Sequence, residues 1–504
     1  MKTVFVLLDS LNRSAMESYG ETSVKTPNFK RFADRAVTFD NHYVGSLPCI
    51  PARRDLHTGR LNFLHRSWGP LEPFDDSFPE LLKLQGTYTH IITDHHHYFA
   101  DGGATYHPRY SSWELVRGQA IDRWKAHVNA DLDHLTLDYH PMQQNRVNYM
   151  INRQYMGEEQ DYSGPQTFSL GQEFLKKNHA EDNWFLQLEC FDPHEPFHAP
   201  PRFRDMYPTD YDGPILDWPF YKRVDESPEE VAEMRANYAA LTTMCDEYFG
   251  KLLDFFDEND MWKDTSLILT TDHGFLLGEH DWWSKNRMPV YDEIARIPFM
   301  MYHPDHASQG GTRRSSLTQT IDIMPTIMEL HGHEIPKDVS GKSVLPVLND
   351  DTPIRNTAMF GYFGAACNIT DGTYVYHRYP ESLTGDDLYE YTLMPTRMTT
   401  RFPISDLVGA TLENPFSFTK GAPILKLKPR TNEDGDVVEC QGMSFEDTVT
   451  RLYNLDADPR QESPIDAPEI EARFVAEMIG HMKEADAPEE IYARFDLKED
   501  GENA

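Results

Sequence analysis

Ser46-Leu47-Pro48-Cys49-Ile50-Pro51-Ala52-Arg53-Arg54, closed by Thr58-Gly59-Arg60, sets a thiol, a proline two residues on and an arginine two further at what reads as a helix start. Pro51 fixes φ and has no N–H, so it suits a first helical turn, where free backbone donors and the helix dipole favour negative charge. Arg53 adds a planar fork of donors fitted to a phosphoryl or sulfuryl group. A thiol in that setting reads as a nucleophile beside an oxyanion site. Taken alone, the same residues also describe a buried cysteine near a helix cap.

Outward from this stretch, four apolar runs end in acids and histidines. Thr3–Leu8 stops at Asp9-Ser10, and His90-Ile91-Ile92-Thr93 runs into Asp94-His95-His96-His97. Trp184–Phe191 runs into Asp192-Pro193-His194-Glu195-Pro196-Phe197, and Ser266–Thr271 into Asp272-His273-Gly274. Continuous apolar runs of this length are the pattern of buried parallel strands, and open α/β sheets bind ligands at the carboxyl ends of their strands. The four ends are therefore expected to meet on one edge of one sheet. Asp9, Asp272 and His273 then offer two carboxylates and an imidazole to a divalent cation, Ca²⁺ first, with Mg²⁺ or Mn²⁺ also suited. Met singly, Asp9 also fits a helix cap. The three consecutive histidines read as part of the site, as a metal-binding tract or as a solvated loop.

The 504 residues, 39% of them hydrophobic, provide for a large core, and length alone allows roughly two to four domains. Lys and Arg number 47 against 82 Asp and Glu, a formal charge of −35. A field of that sign repels nucleic acid and anionic membrane, while leaving room for a local basic pocket. Cysteines at 49, 190, 245, 367 and 440 are few, scattered and odd in number, which suits a reducing compartment better than a disulfide framework. The apolar start stops at Asp9 with no small-residue cleavage site after it, and no later run approaches a membrane span, so the expected location is cytoplasmic.

Cys49-Ile50-Pro51-Ala52-Arg53 resembles the Cys-x-Pro-x-Arg signature of the formylglycine-dependent sulfatases of the alkaline phosphatase superfamily, and Thr58-Gly59 falls where that family has Thr-Gly. The serine common after the proline is Ala52 here. The resemblance implies that a formylglycine-generating maturation enzyme oxidises Cys49, and that the hydrated product attacks a sulfate ester while held on a metal with Asp9, Asp272 and His273. Ser10 stands where the family has a second aspartate. By the same resemblance His95 falls where the family has a substrate-holding lysine, and His97 where it has a histidine contacting the nucleophile. His95 is thus expected to bind substrate with a charge that titrates near neutrality. Pro193-His194-Glu195-Pro196-Phe197 is similar to the family's His-x-Pro-Phe element, which implies His194 as the acid that protonates the leaving group. Leu277-Gly278-Glu279-His280-Asp281-Trp282-Trp283-Ser284-Lys285, followed by Tyr291-Asp292-Glu293 and Arg296-Ile297-Pro298, is similar to the run carrying the sulfate-binding lysine, which implies Lys285. The implied catalytic set is Cys49, Arg53, His97, His194 and Lys285, with Trp282 and Trp283 either walling the pocket or packing in the core.

The resemblance also implies an α/β, alkaline-phosphatase-like fold: a mostly parallel sheet sandwiched by helices in residues 1–352 and a smaller C-terminal α+β part in 353–504. Ile321–Gly332 has a helical pattern ended by glycine, and the polar Asn349–Pro353 is the expected boundary. Beyond it, Gly372–His377 and Arg451–Pro459 predict strands of an antiparallel sheet, and Ala467–Asp486 an amphipathic helix. Residues 101–165 and 380–440 carry no recognised motif, and specificity is expected there. Arg378, Arg397 and Arg401 read as solvated surface or as contacts to an anionic substrate. The expected partner is a small-molecule or carbohydrate sulfate ester, with neither nucleic acid nor membrane. Two other readings stand beside it: a phosphonate monoester or phosphodiester hydrolase built on the same motif, and a non-catalytic anion-binding relative, suggested by Ser10, Ala52 and His95.

Overall fold

The first strand, Lys2–Leu8, is buried along its whole length and lies fifth in a sheet of eight. The structure, a computed structural model, describes residues 1–130, 146–286, 289–432, 435, 437 and 447–498, with the backbone alone at residue 146. In spatial order the sheet runs Arg313–Arg314, Val37–Phe39, Phe299–Tyr302, Thr265–Thr270, Lys2–Leu8, Trp184–Cys190, Tyr88–Thr93 and Ser112–Leu115. The five strands from Thr265–Thr270 onward are parallel, and Phe299–Tyr302 runs antiparallel to both its neighbours.

The continuous apolar character of Lys2–Leu8 follows from having helices on both faces, because successive side chains point to opposite sides. Val4, Val6 and Leu8 join a core with Phe168 and Leu175 of helix Ser163–Asn178 and Phe249 and Leu252 of helix Pro228–Glu258. Phe5 and Leu7 join a second core with Ile50 and Leu56 of helix Cys49–Thr58, Leu82 of helix Phe78–Leu84 and Met324 and Ile327 of helix Ile323–Leu330. Leu8 lies opposite Cys190, Leu7 opposite Thr270 and Thr93 opposite Glu189, so four neighbouring strands end nearly level. The residues that follow them share one edge, as the sequence pattern predicts.

A second sheet has the order Arg451–Asn454, Tyr374–Arg378, Ala366–Thr370, Ala358–Tyr362 and Ser46–Leu47. The pairings among its first four strands are antiparallel, and helix Pro468–Glu484 packs Phe474, Val475 and Met478 into the same core as Phe360, Ile369 and Val375. The fifth strand comes from the other end of the chain: Ser46 pairs with Gly361 and Leu47 with Tyr362, in parallel. This sheet therefore takes strands from both sides of residues 352 and 353, and its far edge leads directly into Cys49.

Two arginines differ from the expectation of solvated surface. Arg378 is buried, donating to the Phe495 carbonyl at 2.5 Å and the Tyr376 hydroxyl at 3.0 Å. Arg397 is buried over the Phe402 ring, with Nη1 2.7 Å from Asp406. Each guanidinium fastens chain segments together, and Arg401 alone of the three is exposed. Trp283 is fully buried, its Nε1 donating to Glu226 at 2.8 Å, and Trp282 is buried as well. Cys440 and the terminal residues 499–504 lie outside the described residues. The other four cysteines are buried and unbridged.

Asp55 holds the turn that precedes Cys49. Its carboxylate accepts from the Ser46 amide (2.6 Å) and hydroxyl (2.7 Å) and from the Asn62 amide (3.0 Å) and side chain (2.9 Å). Gly59 closes the helix in the left-handed region at φ 65°, and a Cβ there would meet Val339 at 2.7 Å. Asp55→Ala leaves several of these buried donors without acceptors, at about 1–3 kcal/mol each for those that find no water. The expected outcome is a loss of about 3 kcal/mol of stability, read as a lower urea midpoint with unchanged slope.

Candidate active site

Cys49 is the first residue of its helix and is 3% exposed. Its Sγ lies 3.1 Å from His273 Nε2. His273 Nδ1 is 3.0 Å from the Gly274 carbonyl, which can only accept, so the ring proton of neutral His273 sits on Nδ1. Nε2 is left with its lone pair towards Cys49. Burial, followed by the charge of Asp9, pushes the Cys49 thiol well above its ordinary value, and Lys285 and Arg53 oppose this only in part. In its unmodified form the residue is a protonated thiol.

Arg53, one turn on, is 1% exposed and surrounded by carboxylates. Nε donates to Glu189 at 2.7 Å, and Nη1 to Asp272 at 2.5 Å and the Cys49 carbonyl at 3.1 Å. Nη2 lies 2.9 Å from Asp9 Oδ2 yet makes no aligned hydrogen bond. Nη2 is thus the part of the fork that retains donor capacity for an anion. Burial alone would raise the Asp9 carboxyl, but Arg53, Lys285 and His273 hold it below the usual value.

Asp9, Cys49, Asp272 and His273 each turn one ligand atom to a common point, all within 4.8 Å of one another and all buried. Asp9 Oδ2 has no hydrogen-bond partner, while its Oδ1 accepts from Ser10 Oγ at 2.8 Å. Asp272 Oδ1 is oriented by the amides of Ser10 (3.1 Å) and His273 (2.9 Å). Two oxygens fixed by neighbouring donors and an imidazole fixed in its tautomer by a carbonyl are the outer-shell pattern of a cation site. Formally, Asp9, Asp272, Glu189 and Glu195 against Arg53 and Lys285 leave two negative charges buried here, which a divalent ion balances. The residues present fit such an ion.

Lys285 is 2% exposed, with Nζ 3.1 Å from Ser10 Oγ and 3.6 Å from Glu195 Oε2. Ser10, held at φ 61°, therefore links the lysine to Asp9 where a second carboxylate was looked for. Burial disfavours the Lys285 charge, but the neighbouring acids Glu195, Asp9 and Asp272 favour it and the ammonium is retained. His194 Nδ1 is 2.5 Å from the Glu195 carbonyl oxygen and 3.2 Å from Glu195 Oε2, and the Tyr221 hydroxyl donates to the other carboxylate oxygen. Burial, then Lys285, pushes His194 well below its ordinary value. Burial, then Arg53, does the same to His95, which corrects the expectation that it titrates near neutrality. The His97 ring packs edge-on to Trp68 at 5.4 Å and to His95 at 5.2 Å.

Residues 2–333 match the family model described as Sulfatase. The chain belongs to the sulfatase family. That family comprises sulfuric ester hydrolases within the alkaline phosphatase superfamily. This sulfatase-family chain is 25% identical over 425 residues to N-acetylglucosamine-6-O-sulfatase of Bacteroides thetaiotaomicron, covering 71% of this chain and 74% of that one. It is 28% identical over 384 residues to the multifunctional alkaline phosphatase superfamily protein PehA of Trinickia caryophylli, covering 66% and 73%. Among solved structures, that of BT4656 in complex with its substrate D-glucosamine-2-N,6-O-disulfate is similar with a TM-score of 0.65 at 17% identity, over 97% of this chain and 99% of that one. The fold is that of the alkaline phosphatase superfamily, as the sequence motifs imply.

Asp9, Cys49, Arg53, Asp272, His273, His194 and Lys285 are linked by the contacts above, and His95 and His97 lie beside them through their charge coupling to Arg53. The other two strand-end acids turn elsewhere: Asp94 accepts from the Phe191 amide at 2.6 Å and Asp192 from Gln119 at 2.6 Å, tying loops together. Sequence reasoning misses Glu189, Glu195 and Tyr221. Glu189 carries a signal, the one acid inside a strand that is buried throughout and mostly apolar; Tyr221 carries none. The raised thiol pKa and the burial give a direct prediction for this sulfatase-family chain. Unmodified Cys49 is expected to alkylate with iodoacetamide at pH 8 at least tenfold more slowly than a free thiol, read from the mass of peptide Ala36–Arg53, because the thiolate is the reactive form.

Proposed function

We propose that the protein hydrolyses a sulfate monoester, with a nucleophile made from Cys49 and a divalent cation held by Asp9, Asp272, His273 and the residue-49 side chain. The observation that carries this reading is the convergence of those four side chains beside Lys285 and Arg53 Nη2. A bound cation would supply Lewis-acid charge to the nucleophile and the sulfuryl oxygens. Ca²⁺ suits the oxygens, and the His273 nitrogen also admits Mg²⁺ or Mn²⁺.

Cys49, oxidised to formylglycine by a maturation enzyme and then hydrated, presents a hydroxyl at the helix start. That oxygen gives up its proton to solvent, an ionisation that a bound cation's charge would favour, and attacks sulfur while Arg53 Nη2, Lys285 and His95 supply donors to the sulfuryl oxygens. The bond from sulfur to the alcohol oxygen breaks as His194 gives that oxygen a proton. His97 then takes the proton of the second hydroxyl, sulfate leaves, and the aldehyde re-forms. Because Nδ1 of neutral His194 faces a carbonyl, Nε2 donates only from the imidazolium, a form that burial disfavours and the anionic ester favours.

A sulfated carbohydrate is the alcohol half favoured by the N-acetylglucosamine-6-O-sulfatase relative. The PehA relative supports a second reading, turnover of phosphonate monoesters or phosphodiesters at the same centre. Comparing nitrophenyl sulfate with nitrophenyl phenylphosphonate decides between them: sulfate is expected to give the larger kcat/KM, and hydrolysis of the phosphonate alone would overturn the first reading. Cys49→Ala is expected to abolish turnover of either ester without altering the thermal transition.

His194 makes a pH prediction. Its free-state pKa lies below the ordinary value, so the acid form is lost as pH rises through the range beneath about 6.5. With an alkyl or sugar sulfate, kcat/KM should fall about tenfold per pH unit above that point. Nitrophenyl sulfate, whose leaving group needs no proton, should lack this limb, and so should His194→Ala.

A further inference from the structure

His95, His96 and His97 form a second cluster, separate from the acidic one. Each offers a ring nitrogen within 4.8 Å of the other two. The rings are close, with centroids 4.2 Å apart for His96 and His97, 5.2 Å for His95 and His97 and 6.2 Å for His95 and His96. Five of the six ring nitrogens are shut off from solvent and have no hydrogen-bond partner: both of His95, both of His96 and Nδ1 of His97.

Consecutive residues seldom direct their side chains to one point. Here the tight turn at His96–Phe99 does so, with the His95 amide fixed on Thr93 Oγ1 at 3.0 Å. The closest ring neighbours are aromatic, and the Asp122 carboxylate acts on His96 through its charge without a hydrogen bond to the ring. Phe191 lies 5.0 Å from His95 and 5.6 Å from His96, Tyr98 5.1 Å from His95 and Trp68 5.4 Å from His97. Buried imidazole nitrogens ordinarily find partners, and three imidazoles whose ring nitrogens lie this close together in an aromatic shell suit a cation that takes nitrogen ligands.

We propose that His95, His96 and His97 bind a borderline divalent cation of the Zn²⁺ class, in a site distinct from the acidic one. Three imidazoles with no oxygen donor among them select Zn²⁺, Co²⁺, Ni²⁺ or Cu²⁺ over Ca²⁺ and Mg²⁺, and leave a coordination position open. A functional consequence rests on the hydrolase reading above. An ion here takes His95 and His97 away from the ester, so Zn²⁺ inhibits, and a zinc-selective chelator in excess Ca²⁺ restores activity.

The test is Co²⁺ titration of the full chain in excess Ca²⁺, read by the visible absorption of nitrogen-ligated cobalt. The wild type is expected to bind one equivalent more than His96→Ala, and Cys49→Ser/His273→Ala, which disables the acidic cluster, is expected to retain that equivalent. Zn²⁺ should displace it and further Ca²⁺ should not. Equal cobalt stoichiometry in wild type and His96→Ala would overturn the proposal. So would loss of the equivalent in folded Cys49→Ser/His273→Ala; should that variant not fold, the comparison of wild type with His96→Ala decides alone. In turnover assays His96→Ala should keep the basal rate and need at least tenfold more Zn²⁺ for half-inhibition. A chain that binds the extra cobalt but, with residue 49 converted to formylglycine, freed of that cobalt and loaded with Ca²⁺, hydrolyses no ester would refute the hydrolase reading and leave the metal site standing.

Discussion

One guanidinium, buried among carboxylates, is the constraint on which the centre depends. Arg53 reaches Asp9 after one strand, Asp272 after a second and Glu189 inside a third, so it fixes the spacing of three strands at their carboxyl ends. Removing one partner of such a buried set leaves the others uncompensated, at about 3–5 kcal/mol. The same arginine sits one helical turn from Cys49 and bonds its carbonyl, so Cys49 and the acids cannot move independently. Stability and chemistry are supported by one set of contacts.

Much of this was legible in the sequence because parallel strands buried on both faces are written as unbroken apolar runs. Thr3–Leu8 and Ser266–Thr271 could be read as strands, and the acids after them as neighbours, without knowing which helices cover them. The helix start at Cys49, with Arg53 turned back towards it, was legible because a thiol, a proline and an arginine at fixed spacing have few common uses. Other parts depend on pairings that no local pattern encodes. Glu189 looks like a stray polar residue until Arg53 is placed against it, and Asp55 looks like an ordinary helical acid until Ser46 and Asn62 converge on it. Arg378 and Arg397 misled because a guanidinium's surroundings are set by chain segments far away in sequence.

Ser10 shows how a departure from a familiar pattern is absorbed. Its hydroxyl stands where the sequence resemblance implies a carboxylate, and it accepts from Lys285 while donating to Asp9. The lysine thereby meets a neutral relay, which lowers the negative charge of the cluster by one and retains its geometry.

The pairing of Ser46–Leu47 with Gly361–Tyr362 joins parts of the chain more than three hundred residues apart. Tyr362 also donates its hydroxyl to the Lys285 carbonyl, so the same late strand braces both the segment before Cys49 and the lysine. During synthesis the ribosome must deliver residue 362 before Ser46–Leu47 gains its neighbour. Until then Ser46–Leu47 is an open strand edge, and the segment leading into Cys49 gains its last backbone partners only when the second sheet has been made.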